Sequence, residues 1–329
     1  MSFYRSPHAA RLASNPVSTV FVTKEIQGLE RLADRDVSVW RGKGPVPRDL
    51  LLDQVASARG LLSMLTDVID QEVLDAAPRL AVVSQMAVGV DNIDLSACAE
   101  AGVLVGHTPD VLTNTVADSA WALLGAIVRR LPEGEREVRA GKWGPWEPGH
   151  LVGGDLHGTV LGVVGMGRIG KAVTRRAYGF DMDVVYASSS EMDIDGEWVP
   201  LETLLARADH VVLCTRLDES TRGLIGAGEL SRMKNTAYLV NVSRGPVVDT
   251  MALVGALRMK EIAGAALDVT DPEPLPADHP LLGFDNCLVV PHIASASVRT
   301  RKAMADLALD NLIAGLDGKE MPARYHTRS

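Results

Sequence analysis

The chain has 329 residues, more than twice the length of an ordinary domain of about 150 residues, so two folded domains are expected. Hydrophobic residues make up 47% and charged residues 23%, a composition that excludes a largely disordered protein. The 42 acidic residues outnumber the 33 basic ones and give a net charge of −9, which disfavours binding to nucleic acid.

Cysteine content and hydropathy bear on the compartment of the protein. Cys98, Cys214 and Cys287 are spaced neither as a disulfide framework nor as a paired metal motif, so no metal is predicted and a reducing cytoplasm is expected. Residues 1–16 lack the apolar run of a signal peptide and are interpreted as a loose tail. No stretch approaches the ~20 apolar residues of a membrane helix, so no membrane association is predicted.

Short β-branched runs alternate with helix-like segments between Thr19 and Gly106, a pattern typical of an α/β domain. Five strands separated by helices predict a small parallel sheet. The predicted strands are residues 19–23, 37–40, 60–65, 80–84 and 103–106, and the predicted helices are residues 27–33, 70–77 and 94–101.

A second α/β region follows a long apolar helix, predicted at residues 114–130, and an irregular arm rich in Gly, Pro and Trp at residues 141–155. Six further strands predict a doubly wound nucleotide-binding sheet. They are expected at residues 160–164, 184–187, 210–214, 237–242, 263–267 and 288–290. A last helix, residues 298–316, leaves open that the first domain is discontinuous and regains this helix.

A glycine-rich turn follows the first strand of this second region. Residues 165–170 (GMGRIG) form a G-x-G-x-x-G pattern between an apolar strand and a helix, which is the context that dinucleotide binding requires. Gly165 permits the tight turn, Gly167 lets the backbone approach a pyrophosphate, and Gly170 allows close helix packing. Arg168 and Ile169 open the helix whose N–H groups face the phosphates. A turn that serves packing alone is the alternative.

The end of the next strand bears on the choice of cofactor. An NAD-binding site is expected to place a carboxylate about 20 residues after the first glycine, but this chain has Ser188, Ser189 and Ser190 there. A carboxylate repels a 2′-phosphate, whereas hydroxyl groups donate to one, so NADP is favoured over NAD. A solvated turn without preference stays open, because no arginine occurs in this run.

Charged residues also follow three apolar strands near the C-terminus. Arg244, Glu273 and His292 are expected to converge, because ligands bind at the carboxyl ends of parallel strands. Reduction of a 2-keto acid requires a proton donor and a counter-charge for the carboxylate. His292 suits the first role with Glu273 as its partner, and Arg244 suits the second. Asp268, at a strand end, is a candidate acceptor for the nicotinamide carboxamide.

Each of these residues also has a purely structural interpretation. A histidine after a proline is often a structural hydrogen-bond donor, Arg244-Gly245 resembles a solvated turn, and Asp268 is suited to capping a loop. The combination with the upstream glycine turn favours the catalytic interpretation over the structural one.

The chain resembles the D-2-hydroxyacid dehydrogenase family, and within it most closely the glyoxylate/hydroxypyruvate reductases. The string EPLPADHPLL at residues 273–282 is similar to that subgroup in particular. The other segments that carry the resemblance are residues 88–92 (VGVDN), 108–113 (TPDVLT), the glycine turn, 241–245 (NVSRG), 267–269 (LDV), 272–276 (PEPLP) and 291–293 (PHI).

The resemblance implies two doubly wound parallel-sheet domains, with a Rossmann cofactor domain (residues 113–295) inserted into a smaller flavodoxin-like substrate domain (residues 1–112 and 296–329). It implies that Arg244 binds substrate, that His292 is the acid/base with Glu273 as its partner, and that the backbone amides of Val88 and Gly89 bind the substrate carboxylate. Ser295 matches a position that contacts the hydroxymethyl end of the substrate.

Similar enzymes are homodimers joined through their cofactor domains. The arm between Trp143 and Trp146 resembles the segment that reaches the partner subunit, so Trp146 is predicted either to touch the partner's active site or to pack in the interface. NADP-preferring relatives often carry an arginine beside the serine positions, which this chain lacks at Ser189 and Ser190.

The leading hypothesis is therefore an NAD(P)H-dependent reductase that converts glyoxylate to glycolate and hydroxypyruvate to D-glycerate. The same chemistry on another small 2-keto acid is the nearest alternative. A formate dehydrogenase is disfavoured because those relatives pair the histidine with glutamine, whereas a phosphite-oxidising relative keeps all three residues. A dinucleotide-sensing corepressor, which binds protein partners, is the alternative from a different class.

Overall fold

The computed structural model describes residues 19–326, so the predicted tail at residues 1–16 lies outside the described residues. The chain divides into two compact units. One unit combines the chain up to Leu112 with the chain from Ser297 onward, and the other consists of Thr113–Ala296. The second unit is thus an insertion between two segments of the first.

Twelve strands and ten α-helices are described. The strands are β1 (Thr19–Val22), β2 (Asp36–Val39), β3 (Gly60–Ser63), β4 (Val82–Gln85), β5 (Leu104–Gly106), β6 (Val160–Val164), β7 (Asp183–Ala187), β8 (Glu197–Trp198), β9 (His210–Leu213), β10 (Tyr238–Asn241), β11 (Gly264–Leu267) and β12 (Cys287–Val289). The helices are α1 (Arg48–Val55), α2 (Gln71–Ala76), α3 (Leu95–Glu100), α4 (Thr113–Val128), α5 (Leu131–Arg139), α6 (Arg168–Ala177), α7 (Leu201–Arg207), α8 (Ala227–Leu230), α9 (Thr250–Met259) and α10 (Val298–Leu316).

The first unit contains a five-stranded parallel sheet in the order β2-β1-β3-β4-β5. This is the flavodoxin-like order. Successive side chains of a strand point to opposite faces, and both faces are buried. Val20 and Val22 pack with Leu309 and Leu312 of α10, whereas Phe21 belongs to the cluster that includes α1, α2 and α3.

The second unit contains a seven-stranded parallel sheet in the order β12-β11-β10-β9-β6-β7-β8. The first six strands along the chain follow the Rossmann order 3-2-1-4-5-6, and β12 extends the sheet at one edge. Two parallel α/β units agree with the predicted fold class, which is confirmed. The carboxyl ends of β6, β7 and β9 meet at the point where the strand order reverses.

Several elements differ from the sequence prediction. The second sheet has seven strands rather than six, because the two-residue strand β8 pairs with β7 although both of its residues are exposed. The predicted helix 114–130 ends at Val128, since Arg130 takes a left-handed conformation (φ 53°) and α5 begins after it. Helices α1 and α5 were missed, and the predicted helix at residues 27–33 is a single 3₁₀ turn, Leu29–Leu32.

Two further properties concern the described residues only. None of the helices between residues 19 and 326 is long and apolar enough to cross a membrane. In the same range, the His, Cys, Asp and Glu side chains form no group of three suited to a metal ion.

Candidate active site

The glycine turn joins β6 to α6, and two of its glycines are required by contacts inside the protein. Gly165 has a φ of 92°, and a Cβ there would lie 2.6 Å from the backbone nitrogen of Thr215. A Cβ on Gly170 would lie 2.2 Å from the carbonyl oxygen of Gly165. The turn can therefore fold against the neighbouring strand end only with glycine at these positions.

Gly167 differs, because a Cβ built there meets no atom within 4 Å. Glycine at this position keeps open a space directly before α6, where the first N–H groups of the helix have no intrahelical partner. Arg168 and Ile169 are the first residues of this helix, and Lys171 already donates back to Gly167. This space before α6 fits the pyrophosphate of a dinucleotide, which the turn would hold through backbone N–H groups.

The serine turn, residues 188–190, follows β7 and is fixed by hydrogen bonds. Ser188 donates through its hydroxyl to the carbonyl oxygen of Ser190, and Trp198 Nε1 donates to the carbonyl oxygen of Ser188 at 3.2 Å. The buried Tyr186 hydroxyl accepts from the Met192 N–H at 2.8 Å, which holds the chain after the turn. The turn carries no charge.

The loop that carries Arg244 follows β10 and is held by Asn241. The Asn241 side chain is 1% exposed; its oxygen accepts from the Ser243 N–H at 2.9 Å, and its Nδ2 donates to the Arg244 carbonyl oxygen at 2.9 Å. A Cβ on Gly245 would lie 1.9 Å from the Thr270 carbonyl oxygen, so this loop packs directly against the loop after β11.

The loop after β12 carries His292 and, like the Arg244 loop, contacts the loop after β11. Nδ1 of His292 lies 2.7 Å from Oε1 of Glu273, which is on the loop after β11. The side chains are 22% and 36% exposed respectively, so the pair is accessible from one side. Because Nδ1 is occupied by the carboxylate, Nε2 is the ring nitrogen left to face a ligand.

Asp268 holds the backbone of the histidine loop. This residue is 2% exposed, and its carboxylate accepts from the N–H groups of Ile293 at 2.7 Å and Ala294 at 3.0 Å. The His292 N–H donates to the Asp268 carbonyl oxygen at 2.8 Å. His292 has a φ of 51°, a conformation unfavourable for a residue with a Cβ, and these bonds stabilise it.

The two carboxylates differ in pKa. Burial opposes ionisation of Glu273, but the hydrogen bond from His292, the charge of His292 and the charge of Arg244 outweigh it and lower the pKa of Glu273 below its ordinary value. Burial raises the pKa of Asp268, and the two backbone bonds only partly offset it. Glu273 is therefore the carboxylate suited to pairing with an imidazolium.

Comparison with known proteins supplies an independent line of evidence. The model of the D-isomer specific 2-hydroxyacid dehydrogenase NAD binding domain matches residues 121–294. A glyoxylate reductase from Korarchaeum cryptofilum is 47% identical over 312 residues, which cover 92% of this chain and 94% of the relative. The chain belongs to the D-isomer-specific 2-hydroxyacid dehydrogenase family. It is an oxidoreductase with a nicotinamide dinucleotide cofactor, as the sequence predicted.

Two solved structures resemble this dehydrogenase over 94% and 95% of its chain. A protein from Thermus thermophilus superposes with a TM-score of 0.90 at 46% identity, covering 94% of this chain and 100% of that one. An NADPH-dependent glyoxylate/hydroxypyruvate reductase from Sinorhizobium meliloti, solved with NADP and malonate, gives a TM-score of 0.83 at 33% identity. That alignment covers 95% of this chain and 100% of that one.

The remaining predicted site residues of the dehydrogenase lie in several places. Ser295 is half-buried on the His292 loop, and Trp146 is 85% exposed on the irregular arm. Val88 and Gly89 follow β4 in the other unit, where their carbonyl oxygens accept from His107 Nδ1 and Gln85 Nε2 at 3.0 and 2.8 Å. Among the described residues, the N–H groups of Val88 and Gly89 have no hydrogen-bond partner.

Sequence reasoning missed residues that position the loops of Arg244, Glu273 and His292 in this dehydrogenase. Asn241 has no role in the prediction, although an asparagine that ends an apolar strand two residues before a serine indicates an Asx turn. Thr270 was also missed; its N–H donates to Oε2 of Glu273 at 3.4 Å and its hydroxyl donates to the Pro272 carbonyl oxygen at 2.8 Å.

Proposed function

We propose that this dehydrogenase reduces small 2-keto acids, glyoxylate to glycolate and hydroxypyruvate to D-glycerate, with NADPH or NADH. The observation that carries the proposal is the 2.7 Å hydrogen bond between Glu273 and Nδ1 of His292. The loop that carries Glu273 also packs against the loop that carries Arg244. This arrangement combines a proton donor and a cation beside a dinucleotide-binding turn. Relatives named glyoxylate reductase support the substrate class.

His292 acts as the proton donor through Nε2. The reduced nicotinamide supplies a hydride to the substrate carbonyl carbon when it is bound. The imidazolium gives its Nε2 proton to the carbonyl oxygen and becomes a neutral imidazole that keeps its Nδ1 proton towards Glu273. The ionised Glu273 accepts the Nδ1 hydrogen bond and fixes the orientation of the ring.

Arg244 binds the substrate carboxylate and polarises the carbonyl oxygen. A guanidinium stays charged at every relevant pH and offers a planar fork of donors that matches a carboxylate. Asn241 and the contact of Gly245 with Thr270 keep the backbone of this arginine in place. Because groups of the protein itself make these contacts, little ordering of the loop is required on binding.

Backbone N–H groups and a hydroxyl complete the proposed substrate contacts. The N–H groups of Val88 and Gly89, which have no hydrogen-bond partner among residues 19–326, bind the carboxylate. Ser295 contacts the hydroxymethyl group of hydroxypyruvate. Because glyoxylate lacks that group, a contribution of Ser295 would appear with hydroxypyruvate only.

NADPH is the proposed preferred cofactor. The first strand after the glycine turn ends in three serines without a carboxylate, so no acid at that strand end repels a 2′-phosphate. Ser189 and Ser190 are exposed, and their hydroxyls make no hydrogen bond within the part of the chain that the structure describes. These hydroxyls are available as donors.

A homodimer joined through the cofactor unit is also proposed. Trp143 and Trp146 are 77% and 85% exposed, and Leu131 and Val138 of α5 are 60% and 52% exposed. Large apolar side chains at this exposure favour a protein interface. Trp146 either contacts the partner's active site or packs in that interface. A cytoplasmic location stays a prediction from the cysteine content.

Initial rates with glyoxylate, hydroxypyruvate and pyruvate, each measured with NADH and with NADPH, test the proposal. We expect glyoxylate and hydroxypyruvate to give higher kcat/KM values than pyruvate, and NADPH to give higher values than NADH. Pyruvate as the best substrate would replace the proposed specificity with that of another 2-keto acid. Binding of the cofactor without turnover of any of the three acids would favour a dinucleotide sensor.

A further inference from the structure

Binding of a 2′-phosphate requires a cation that the serine turn does not supply. A phosphate monoester carries a charge of about −1.5 to −2 at neutral pH, and hydrogen bonds from charged donors are roughly twice as strong as neutral ones. The residue after the serine turn is Glu191, which is exposed and negative. A selective NADPH site therefore needs a positive side chain from another element at this edge of the sheet.

The sheet register places Arg216 at the same edge as the serine turn. Val164 at the end of β6 pairs with Ala187 at the end of β7 on one side and with Leu213 at the end of β9 on the other. Ser188 is one residue beyond the end of β7, and Arg216 is three residues beyond the end of β9. Two strand spacings separate β7 from β9, about 10 Å.

The glycine turn connects the two loops directly. The Gly165 N–H donates to the Ala187 carbonyl oxygen at 2.8 Å, and the missing Cβ of Gly165 makes room for the backbone of Thr215. The residues next to Ser188 and Arg216 thus both contact the turn that holds the dinucleotide. Ser188 and Arg216 are therefore both held at this edge of the sheet by neighbours that contact one turn.

The Arg216 side chain is held by Asp218, but only one of its three guanidinium nitrogens takes part in that hydrogen bond. Its Nε donates to Oδ2 of Asp218 at 3.0 Å, and the side chain is 70% exposed. Asp218 is itself fixed, because it accepts from the N–H of Ser220 at 3.0 Å. Within residues 19–326, the two terminal nitrogens of Arg216 make no hydrogen bond, so they remain available to a ligand.

We propose that Arg216 binds the 2′-phosphate of NADPH through its terminal guanidinium nitrogens and is the residue that sets the preference for NADPH over NADH. Asp218 acts as a positioning residue that directs the guanidinium, and Ser189 and Ser190 donate to the same phosphate. The inference rests on the proposed function for the physiological use of NADPH, but binding of the phosphate itself does not depend on turnover.

Calorimetric titration with adenosine 2′,5′-bisphosphate and with adenosine 5′-monophosphate tests the proposal without catalysis. We expect the wild-type protein to bind the bisphosphate more tightly than the monophosphate. Arg216→Ala should weaken bisphosphate binding about 10- to 100-fold, as for loss of a charged hydrogen bond, and change monophosphate binding less than about 2-fold. Arg216→Lys should recover part of the loss because it keeps the charge.

Arg258→Ala is the matched control, because Arg258 is an exposed arginine near the end of α9, remote in the chain from the glycine turn. It should change neither affinity. Unchanged bisphosphate binding by Arg216→Ala, with monophosphate binding intact, would overturn the role of Arg216. Equal affinity of the wild type for the two nucleotides would do the same.

Failure of the proposed reductase activity has a different signature. If wild-type protein turned over none of the keto acids but Arg216→Ala still lost affinity for the bisphosphate selectively, the reductase proposal would fail and the phosphate site would stand. If the enzyme reduced glyoxylate and Arg216→Ala lowered kcat/KM with NADPH and NADH equally, the reductase would stand and the selectivity role would fail.

Discussion

Oε1 of Glu273 lies 2.7 Å from Nδ1 of His292, although the two residues are 19 positions apart in the chain. The bond joins the loops after β11 and β12, and the buried Asp268 fixes the second loop through its backbone. One ring nitrogen is therefore committed to the carboxylate while the other is left for the substrate. In the proposed reaction, this arrangement orients the ring so that Nε2 acts as the acid.

Replacing His292 by Ala should remove the proton donor without disturbing the cofactor. We expect kcat for glyoxylate to fall at least ~10²-fold, the ordinary size of a positioned acid's contribution, while the Kd for NADPH changes little. Steady-state rates and fluorescence titration of NADPH measure the two quantities. A variant that turns over at a rate near that of the wild type would remove His292 from this role.

Glu273→Gln should change the pH dependence of stability. The pKa of Glu273 is lowered in the folded protein, so its ionised form stabilises the fold above its ordinary value of 4.5, and that contribution is lost as the pH falls through the folded pKa. The variant should therefore be less stable than the wild type at pH 7, and the difference should shrink below pH 4.5. Urea denaturation at several pH values measures it.

The activity of the same variant gives a second readout. An amide oxygen is a weaker acceptor than a carboxylate for the Nδ1 hydrogen bond, so the ring should be less firmly oriented and kcat for keto-acid reduction should fall. Glu273→Asp, which keeps the charge, should retain part of the wild-type kcat. A kcat for Glu273→Gln equal to that of the wild type would contradict the pairing.

Asp268→Asn tests whether this carboxylate acts through the histidine loop. Oδ1 of Asp268 accepts from both N–H groups, and Oδ2 accepts a further bond from Ala294 at 3.1 Å. In asparagine the second position is an NH₂ donor, which loses that bond and faces the Ala294 N–H. We expect kcat to fall while binding of adenosine 5′-monophosphate is unchanged. A rise in the KM for NADPH at unchanged kcat would instead favour the predicted contact with the nicotinamide carboxamide.

The strands and the charged loops were predictable because each depends on local sequence. Residues 160–164 and 298–316 were predicted with the observed bounds, because the first is an uninterrupted apolar run that leads into the glycine turn and the second is a long helix-like stretch after the last strand. Strand β8 was not predictable, because two exposed residues carry no pattern. The break at Arg130 depends on a left-handed residue, which no rule of composition assigns to arginine.

The interactions that organise the site were harder to predict. Arg244, Glu273 and His292 were identified because each follows an apolar strand, but the bonds that Asn241, Asp268 and Thr270 make to loop backbones depend on the folded arrangement. The proposed role of Arg216 had no local signal, because the residues expected to contact a 2′-phosphate are those that follow β7. The order of the strands in the sheet, which the sequence does not reveal, places the end of β9 two strands away from the end of β7.

Two glycines of the phosphate-binding turn should respond differently to alanine. In Gly170→Ala the methyl group would lie 2.2 Å from the Gly165 carbonyl oxygen, a clash that should cost about 1–3 kcal/mol or more of stability and outweigh the helix preference of alanine, about 1 kcal/mol. Gly167→Ala meets no protein atom within 4 Å, so its stability should match the wild type. Urea denaturation compares them.

NADPH binding gives a second test of Gly167→Ala. Gly167→Ala, although stably folded, should weaken NADPH binding about 10-fold or more, because the methyl group occupies the space through which the pyrophosphate approaches the helix. Normal NADPH affinity in this variant would contradict the placement of the pyrophosphate at the start of α6.

Ser188→Asp tests the assignment of cofactor preference from the opposite direction. A carboxylate at the end of β7 accepts hydrogen bonds from ribose hydroxyls and repels a 2′-phosphate, so the ratio of kcat/KM for NADPH to that for NADH should fall below one. Ser188→Asn, of similar size and without charge, is the control and should leave the ratio above one. Since Ser188 already donates within its own turn, both variants lose that bond, and the difference between them isolates the charge. Equal ratios for the two variants would show that repulsion at this strand end does not select the cofactor.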